Sequence, residues 1–551
     1  MTIKLIIVGG VAGGATAAAR ARRLNEQAEI ILFERGEYIS FANCGLPYHI
    51  GGIIEERDAL LVTTEEAFSE RYHIDIRSFS EVTTIDKEKK QVTVQNLKSG
   101  ETYTEGYDKL ILSPGAEPLW PPIDGIELEN IFKLRNIPDT DRIKSLVDNK
   151  QPSSAVVVGG GFIGLEMAEN LVHRNVKVTV IEMLNQVMAP LDLEMASMVQ
   201  EYLAGKGIDC NLDNRVTAFV QEGEQIRVKT EKGSEVVCDM VIMSAGIRPE
   251  NKLAVDAGLE IGQRGGIIVD ACMQTSNPHI FAVGDAIEVR DFVTGFPVMI
   301  PLAGPANKQG RIAADNVMGR RSVYKGTQGT SILKLFDMTV ASTGVNEKNL
   351  SISYIPHQSS YTFSNSHASY YPGATEMAIK LIFTPGIGKI LGAQIVGQDG
   401  VDKRIDVLAT AIRGSMTVYD LEDLELAYAP PYSSAKDPVN VAGFVSSNIL
   451  KGDLNPYYWQ GAEQIDSDTD VVIDLRNPIE LKMSGKIDGA LNIPLDDLRE
   501  RLPKLDRSKN YILTCAVGLR GYIGYRIMAQ HGFKVKSACG GYSAFKHSFS
   551  Q

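Results

Sequence analysis

Cysteine is scarce in this sequence, and basic residues are not in excess. The 551 residues include six cysteines, at positions 44, 210, 238, 272, 515 and 539. They form neither a paired framework nor the C-x-x-C spacing of zinc sites, so we expect no metal site and a reducing compartment. Acidic residues outnumber basic ones by 68 to 56, and the net charge of −12 argues against a general nucleic-acid-binding protein.

The sequence also lacks an apolar run long enough to cross a bilayer. It begins MTIKLIIVGG, which predicts a strand entering a glycine turn and not a charged and apolar leader. We therefore expect a cytoplasmic protein with no membrane partner. At 551 residues the chain is too long for one hydrophobic core, so about three or four units are expected.

Residues 1–36 predict a βαβ unit of the α/β class: a buried strand, a glycine turn, an Ala/Arg-rich helix and a second strand. Gly9, Gly13 and Gly14 permit a pyrophosphate to approach the start of the helix. Glu34, at the end of the second strand, suits a ribose diol. Val11 stands where the usual motif has its middle glycine.

Residues 154–182 repeat the pattern with a complete motif, Gly159, Gly161 and Gly164, followed by Glu182. An acid at this position accepts hydrogen bonds from a free 2'-hydroxyl and repels a 2'-phosphate. The two residues that follow it offer no compensating arginine. NADH is therefore the expected donor, with NADPH as the second choice.

The two units, in this order, resemble the flavoprotein disulfide reductases, and the segment TSNPHIFAVGDA is similar to that family's second FAD motif. The resemblance implies FAD in the first unit and NAD(H) in the second, and it adds Arg35 and Asp285 to the FAD-binding residues. It also implies an FAD-binding domain at 1–117 and 270–325, an NAD(P)H-binding domain at 118–269, and an α+β dimerisation domain at 326–447 in a homodimer.

Cys44, in the segment SFANCGLPY at 40–48, is predicted to be the redox nucleophile. Dithiol members of the family carry C-x-x-x-x-C, whereas the position five after Cys44 is His49. A single thiol must cycle as a mixed disulfide, a persulfide or a sulfenic acid. Ser40 and Asn43 are placed to hydrogen-bond the thiolate or its partner. The alternative is a buried, inert cysteine.

The same segment is similar to that of the coenzyme A disulfide reductases, a single-cysteine branch of the family. Peroxidase-type relatives carry a histidine in the first glycine turn, where this chain has Ala12, which argues against peroxide or oxygen reduction as the main reaction. The segments HASYYPG and LAYAPPYSSAKDPVN place Tyr370 and Tyr428 where that branch has two tyrosines from the partner subunit. A phenol there suits a general acid, and aromatic packing at the dimer interface is the alternative.

This resemblance further implies a site for coenzyme A. Arg20 and Arg23 lie three apart and hence on one face of the first helix. Together with Arg71 and Lys436 they are expected to neutralise phosphates, and ordinary surface charge is the alternative for each. The full set of expected coenzyme A-binding residues is Arg20, Arg23, Ser40, Asn43, Arg71, Asn307 and Lys436.

A Gly/Pro/aromatic linker at 448–464 precedes a separate α/β unit at 465–551, which resembles rhodanese domains from end to end. Cys515 opens a loop that contains Gly518 and ends at Arg520, just before a helix. Backbone N–H groups and the helix dipole stabilise a thiolate or persulfide in such a loop. The C-x4-R spacing favours sulfur transfer over phosphate hydrolysis. An inert module is the alternative, and Cys539 is a candidate resolving cysteine.

Together, the resemblances predict an enzyme that passes electrons from NADH through FAD to a mixed disulfide or persulfide on Cys44. The preferred substrate is a coenzyme A persulfide or polysulfide, with sulfide as product and Cys515 supplying sulfane sulfur to coenzyme A. One alternative is a coenzyme A disulfide reductase that maintains the coenzyme A thiol. An alternative of another class is a redox or sulfide sensor. NADH oxidase activity is expected only as a side reaction.

Overall fold

The computed structural model describes residues 3–460, 465–466 and 468–548, and the chain divides into two compact units. Unit 1 comprises Met1–Asn185 and Gly207–Gly329, and unit 2 comprises Gln186–Lys206 and Thr330–Gln551. Across the described residues, no helix is both long and apolar enough to span a membrane.

The elements up to residue 317 are, in chain order, β1 (Lys4–Val8), α1 (Ala12–Leu24), β2 (Glu29–Phe33), α2 (Leu46–Ile50), α3 (Glu65–Tyr72), β3 (Asp75–Arg77), β4 (Ser80–Asp86), β5 (Gln91–Asn96), β6 (Thr102–Gly106), β7 (Lys109–Leu112), β8 (Ala116–Pro118), β9 (Ile131–Lys133), α4 (Ile137–Lys150), β10 (Ser154–Val158), α5 (Phe162–His173), β11 (Lys177–Ile181), α6 (Leu193–Gly205), β12 (Asp209–Asn211), β13 (Val216–Glu222), β14 (Gln225–Thr230), β15 (Glu235–Cys238), β16 (Met240–Met243), β17 (Ile247–Pro249), α7 (Lys252–Asp256), β18 (Ile267–Ile268), β19 (Ile280–Ala282), β20 (Ile287–Arg290), β21 (Pro297–Val298) and α8 (Ala303–Val317).

Unit 1 contains two five-stranded parallel sheets. The first has the strand order β19-β7-β1-β2-β3 and the second β12-β11-β10-β16-β9. The central strands β1 and β10 read KLIIV and SAVVV and are buried beyond their first residue, as expected for parallel strands covered on both faces. Each is followed by its glycine turn, at the sheet edge where open α/β sheets bind ligands. The predicted α/β class with two Rossmann-like units is confirmed.

Small residues allow α1 to pack closely against α8. A Cβ added to Gly310 of α8 would lie 2.3 Å from the carbonyl oxygen of Gly13, so the two backbones touch directly. Unit 1 also contains the antiparallel sheets β4-β5-β6 and β13-β14-β15, the two-stranded pair β17-β8 and the small sheet β18-β20-β21.

The remaining elements are β22 (Ser331–Leu335), β23 (Met338–Gly344), α9 (Glu347–Ile352), β24 (Gln358–Asn365), β25 (Glu376–Phe383), β26 (Ile390–Gly397), α10 (Val401–Arg413), α11 (Val418–Asp423), α12 (Pro438–Leu450), β27 (Pro456–Tyr457), β28 (Asp470–Asp474), α13 (Pro478–Ser484), β29 (Leu491–Asn492), α14 (Leu498–Arg501), β30 (Asn510–Thr514), α15 (Leu519–Gln530), β31 (Lys534–Ala538) and α16 (Gly541–Ser548).

Unit 2 contains an antiparallel sheet, β22-β23-β26-β25-β24, and a parallel sheet, β27-β31-β30-β28-β29. The first sheet, with α9 to α12, is the predicted α+β region. The second is the predicted C-terminal α/β region, whose core includes the buried side chains of Trp459, Val472, Ile512 and Ala544. Both predictions of fold class are confirmed.

A buried charge cluster joins α6 to the antiparallel sheet of unit 2. The side chain of Lys380 on β25 is fully buried, and its ammonium lies 2.8 Å from Asp192 and 2.5 Å from Glu347 and also contacts Glu194. Burial alone would lower the pKa of Lys380, but Tyr361 and the three carboxylates outweigh it and raise that pKa well above its ordinary value. The segment that follows the second βαβ unit is thereby anchored in unit 2.

Candidate active sites

The first glycine turn packs the start of α1 directly against the end of β1. A Cβ on Gly14 would lie 1.8 Å from the carbonyl oxygen of Gly9, and Gly9 itself has φ +96°. The Glu34 carboxylate accepts hydrogen bonds from the backbone N–H groups of Gly10 and Gly36, both at 2.8 Å. The start of α1 and the fixed carboxylate fit the phosphates and the ribose of FAD.

The second glycine turn repeats this arrangement closely. Glu182 accepts hydrogen bonds from the backbone N–H of Gly160 at 2.7 Å and from that of Leu184 at 2.8 Å. The two residues after Glu182, Met183 and Leu184, are uncharged and exposed, so the turn places no Arg or Lys directly after the carboxylate. The site fits NADH, whose free 2'-hydroxyl can donate to Glu182.

Asp285 and Arg35 lie in unit 1 with different surroundings. Asp285 follows β19 in a short 3-10 turn at Gly284–Ala286. Burial raises the pKa of its carboxyl, and Arg135 partly opposes this. Arg35 is already ion-paired, since its guanidinium lies 2.6 Å from Glu250. The structure thus leaves Asp285 open to a ligand and engages Arg35 with the protein.

Cys44 lies in a 3-10 turn at Asn43–Gly45 and is exposed. Ser40, with φ +47°, ties this segment to the first glycine turn, because its backbone N–H donates to the carbonyl oxygen of Gly10 at 2.9 Å. Loss of hydration around the sulfur, together with the carboxylates of Glu166 and Asp285, raises the pKa of the Cys44 thiol. The charged groups of the chain therefore favour the neutral thiol of Cys44 over its thiolate.

Two residues near Cys44 were missed by sequence reasoning, Tyr48 and Glu166. The Tyr48 hydroxyl donates to the Glu166 carboxylate at 3.4 Å. Burial raises the pKa of Glu166 to about 7; the Tyr48 hydrogen bond opposes the shift and Glu169 adds to it. Both positions carried a signal, since Tyr48 is one helical turn after Cys44 and Glu166 is two residues after Gly164.

His49, which stands where dithiol relatives have their second cysteine, is engaged elsewhere. It is buried, and its Nδ1 lies 2.7 Å from the carbonyl oxygen of Ile54. This hydrogen bond orients the ring toward the backbone and not toward a sulfur partner.

The expected coenzyme A-binding residues of unit 1 are only partly brought together. Arg20 on α1 donates from Nε to Asp315 on α8 at 2.7 Å, and Asn307 on α8 accepts a hydrogen bond from Thr16 on α1. Arg23 lies exposed near the end of α1. The α1–α8 pair thus carries three of the expected residues, Arg20, Arg23 and Asn307, while Arg71 lies exposed at the end of α3 and Asn43 is exposed beside Cys44.

In unit 2, the structure brings Tyr370 and Tyr428 together. Their hydroxyl groups lie 3.0 Å apart, and this hydrogen bond raises the pKa of Tyr370. Both side chains are exposed, and so is Lys436 a few residues after Tyr428. A phenol with a raised pKa stays protonated and able to donate a proton.

The Cys515 loop lies between β30 and α15, and the loop supplies a hydrogen-bond donor to the Cys515 thiol. The backbone N–H of Gly518, at φ +123°, donates to the Cys515 sulfur at 3.1 Å. Tyr542 fixes the loop from the other side, because its N–H donates to the Cys515 carbonyl at 2.7 Å. Arg520 forms a bidentate ion pair with Glu480, with both N–O distances 2.7 Å. The arrangement can hold a thiolate or a persulfide anion.

Cys539 has different neighbours from Cys515. It is buried, and it lines a small space with Glu194, Tyr361 and Tyr458. Burial, together with Glu347, raises the pKa of its thiol to about 12. A thiol of this kind is a poor nucleophile at neutral pH, which disfavours a resolving role.

Family comparisons assign all three regions of the chain. Residues 3–310 match the pyridine nucleotide-disulphide oxidoreductase family, residues 330–438 that family's dimerisation domain, and residues 460–548 the rhodanese-like domain. The predicted enzyme class, an FAD- and pyridine nucleotide-dependent oxidoreductase, is thereby confirmed.

Among individual proteins, a coenzyme A disulfide reductase of Staphylococcus haemolyticus is 36% identical over 447 residues, which are 81% of this chain and all of the relative. The crystal structure of reduced CoADR-RHD from Bacillus anthracis is 53% identical, with a TM-score of 0.97, and covers 99% of this chain and 98% of that one. A NAD-dependent persulfide reductase from A. fulgidus is 38% identical, with a TM-score of 0.92, over 98% of this chain and 100% of that one.

The glycine turns, the single cysteine, the Cys515 loop and these matches agree. The chain belongs to the pyridine nucleotide-disulphide oxidoreductase family and carries a rhodanese-like domain at its C-terminal end.

Proposed function

We propose that this chain is an NADH-dependent reductase of coenzyme A persulfide or polysulfide that releases sulfide and works as a homodimer in the cytoplasm. The observation that supports the proposal most directly is the geometry of the Cys515 site, in which the backbone N–H of Gly518 donates to the Cys515 sulfur at 3.1 Å. A cysteine held in such a loop suits the binding of sulfane sulfur, which a persulfide or polysulfide substrate carries. The match to the persulfide reductase extends over 98% of the chain, and the match to the CoADR-RHD structure extends over 99%.

In the net reaction, coenzyme A persulfide, NADH and one proton give coenzyme A thiol, hydrogen sulfide and NAD⁺. In the first step the Cys44 thiolate attacks the coenzyme A sulfur, the S–S bond breaks and HS⁻ leaves, which forms a mixed disulfide between Cys44 and coenzyme A. Bound FAD supplies the route by which two electrons from NADH reach this disulfide. The S–S bond of the mixed disulfide breaks in this reduction, which returns the Cys44 thiolate and frees the coenzyme A thiolate. The hydrogen of NADH ends as a proton on HS⁻, and one further proton is taken up by the coenzyme A thiolate.

Tyr370 and Tyr428 are proposed to supply that proton and to orient the leaving thiolate. Their mutual hydrogen bond at 3.0 Å holds one phenol as donor while the other accepts. Both are exposed in the single chain, which suits residues that complete the site of a second subunit. The match to a dimerisation domain supports this arrangement.

Coenzyme A is proposed to bind near Cys44 through its phosphates. Arg23, Arg71 and Lys436 are exposed, whereas Arg20 is ion-paired with Asp315 at 2.7 Å. Arg23 donates from Nε to the Ala19 carbonyl of its own helix at 3.0 Å, and no carboxylate among the described residues neutralises its charge. Ser40 and Asn43, in the Cys44 segment, are proposed to position the pantetheine end. Coenzyme A is then proposed to take sulfane sulfur from Cys515 and to carry it to Cys44.

The test is anaerobic NADH consumption with coenzyme A persulfide and with coenzyme A disulfide, with sulfide release followed alongside. Wild type is compared with Cys44→Ser and Cys515→Ser, and Cys272→Ser serves as a cysteine control outside both sites. We expect the persulfide to be the faster substrate, Cys44→Ser to be inactive and Cys272→Ser to match wild type. Full activity in Cys44→Ser would refute the mechanism, and slow turnover of every acceptor would favour a sensor.

Coenzyme A disulfide reduction is the second candidate, favoured by the 36% identity to a reductase of that name across its full length. It predicts faster turnover of the disulfide, no sulfide, and no effect of Cys515→Ser in the same assay.

A further inference from the structure

The Cys515 loop contains one cation, Arg520, and that cation is already ion-paired with Glu480. Both of its terminal nitrogens donate to the two carboxylate oxygens of Glu480, each at 2.7 Å. The Arg520 hydrogen bonds hold the pKa of Glu480 down to about 2, so the pair stays ionised at every pH at which the protein works. The charge of Arg520 is therefore neutralised before any ligand arrives.

A second arginine close to the loop, Arg476, is also ion-paired within the protein. Arg476 is 1% exposed, forms a bidentate pair with Asp474, and donates to the Ser484 hydroxyl and the Gly485 carbonyl. The face of its guanidinium lies 4.0 Å from the centre of the Tyr542 ring. Hence Arg476 is held in place beside the loop, and its charge is already paired with Asp474.

The two helices that carry Arg520 and Glu480 also present exposed apolar side chains. Leu519 is 69% exposed at the start of α15, and Ile479 and Met483, on α13, flank Glu480 with exposures of 61% and 82%. Lys482 and Lys486 in the same stretch are exposed, and a hydrated ammonium attracts an anion only weakly through water. A dianion entering the loop would lose its hydration without gaining a desolvated counter-charge.

We propose that Glu480 is a specificity-determining residue of the Cys515 site. By occupying Arg520, it bars thiosulfate and other dianionic sulfur donors, and it restricts the site to sulfane sulfur carried on an organic thiol whose apolar part contacts Leu519, Ile479 and Met483. The inference rests on the proposed function, since it assumes that Cys515 transfers sulfur.

The transfer step balances without an added oxidant or reductant. The Cys515 thiolate attacks the terminal sulfur of R–S–SH, a new S–S bond forms, the old S–S bond breaks and RS⁻ leaves. The products are a Cys515 hydropersulfide and the organic thiolate. With thiosulfate the leaving group would be sulfite, and the dianion would first have to settle beside the neutralised Arg520–Glu480 pair.

The test measures thiocyanate formed from cyanide by the full-length, FAD-loaded protein, with either thiosulfate or a short alkyl hydropersulfide as donor. The rate of Cys515→Ser is subtracted throughout as background. Two variants supply a free cation by independent routes: Glu480→Gln releases Arg520, and Leu519→Lys adds a charge while leaving the ion pair intact. Glu500→Gln, an exposed carboxylate on α14, is the control for charge removal.

We expect wild type to use the hydropersulfide and to show almost no rate with thiosulfate. Glu480→Gln should raise kcat/KM for thiosulfate by at least about tenfold, the effect of one charge-assisted hydrogen bond, while Glu500→Gln stays at the wild-type value. Leu519→Lys should raise it by a smaller factor, about two- to fivefold, because an ammonium at this exposed position stays hydrated. Since Glu480 also accepts from the Asn477 N–H at 2.9 Å, Leu519→Lys keeps the test valid if Glu480→Gln disturbs α13.

The proposal is overturned if wild type uses thiosulfate as fast as the hydropersulfide, or if both variants fold normally and leave the thiosulfate rate unchanged. The assay needs neither NADH nor Cys44. Failure of the proposed reductase activity would therefore appear separately, as an absence of NADH consumption with thiocyanate formation intact.

Discussion

Replacing Glu166 with glutamine should stabilise unit 1 at alkaline pH and have little effect in acid. Burial raises the pKa of this carboxyl from its ordinary 4.5 to about 7. Below pH 4.5 the carboxyl is protonated in the folded and unfolded chains alike, so its titration does not change the free energy of unfolding. As the pH rises from 4.5 to 7, the folded state retains a proton that the unfolded state has lost, and the free energy of unfolding falls.

The expected change in the free energy of unfolding follows from the size of the Glu166 pKa shift. Ionising Glu166 in the folded protein costs about 3 kcal/mol more than in water, because each pKa unit corresponds to about 1.4 kcal/mol. Glu166→Gln removes that cost and keeps an acceptor for the Tyr48 hydroxyl. The gain in unfolding free energy should therefore be under about 1 kcal/mol at pH 5 and approach about 3 kcal/mol at pH 8.

Urea unfolding at several pH values, followed by the release of flavin fluorescence, measures this difference for unit 1. Glu70→Gln, an exposed carboxylate on α3, is the matched control and should show no pH-dependent gain. Alkylation of Cys44 by iodoacetamide gives a second readout, since Glu166 is one of the charges that raise the pKa of this thiol, and the variant should react faster at pH 8. An equal gain at pH 5 and pH 8 would refute the reasoning.

Three further changes have definite outcomes. Glu182→Ala should lower kcat/KM for NADH by about 10–100-fold, the value of hydrogen bonds to a charged group, and that for NADPH much less; equal losses would contradict the assigned ribose contact. Gly14→Ala should abolish flavin binding, read as the ratio of visible to ultraviolet absorbance, because its Cβ would lie 1.8 Å from a carbonyl oxygen, whereas Gly106→Ala, whose nearest neighbouring atom is 3.9 Å away, should bind normally. Lys380→Met should lower the free energy of unfolding by about 3–5 kcal/mol in urea, since two buried carboxylates and a half-buried third lose their cation, and the exposed Lys334→Met should not.

The parts of the molecule that sequence reasoning identified are those whose chemistry is local. A glycine turn between a strand and a helix, followed by an acid, is contained in about thirty residues, and in both turns the acid, Glu34 or Glu182, accepts a hydrogen bond from a backbone N–H of the turn. The Cys515 loop is equally local, because Cys515 and Gly518 are three residues apart. Such motifs can be recognised without knowing how distant segments meet.

What escaped prediction depends on distant partners. Lys380 sits in the run EMAIKLIF, where a lysine is ordinarily a solvent-facing residue of an alternating strand, yet its carboxylates come from two other segments. Arg20 was expected to serve a ligand and is paired with Asp315, 295 residues away. Glu166 and Tyr48 are 118 residues apart, so their contact was equally hidden.

The anchoring of α6 in unit 2 also sets an order of events during synthesis. Glu194 of α6 and Lys380 are separated by 186 residues, which a ribosome adding roughly 5–20 residues per second takes about 10–40 s to make. Until then α6, which buries Met195, Ala196, Val199 and Leu203 in the finished protein, has emerged without its partner. The nascent chain thus displays an apolar helix for tens of seconds, a span in which chaperones compete with aggregation for the unfinished protein.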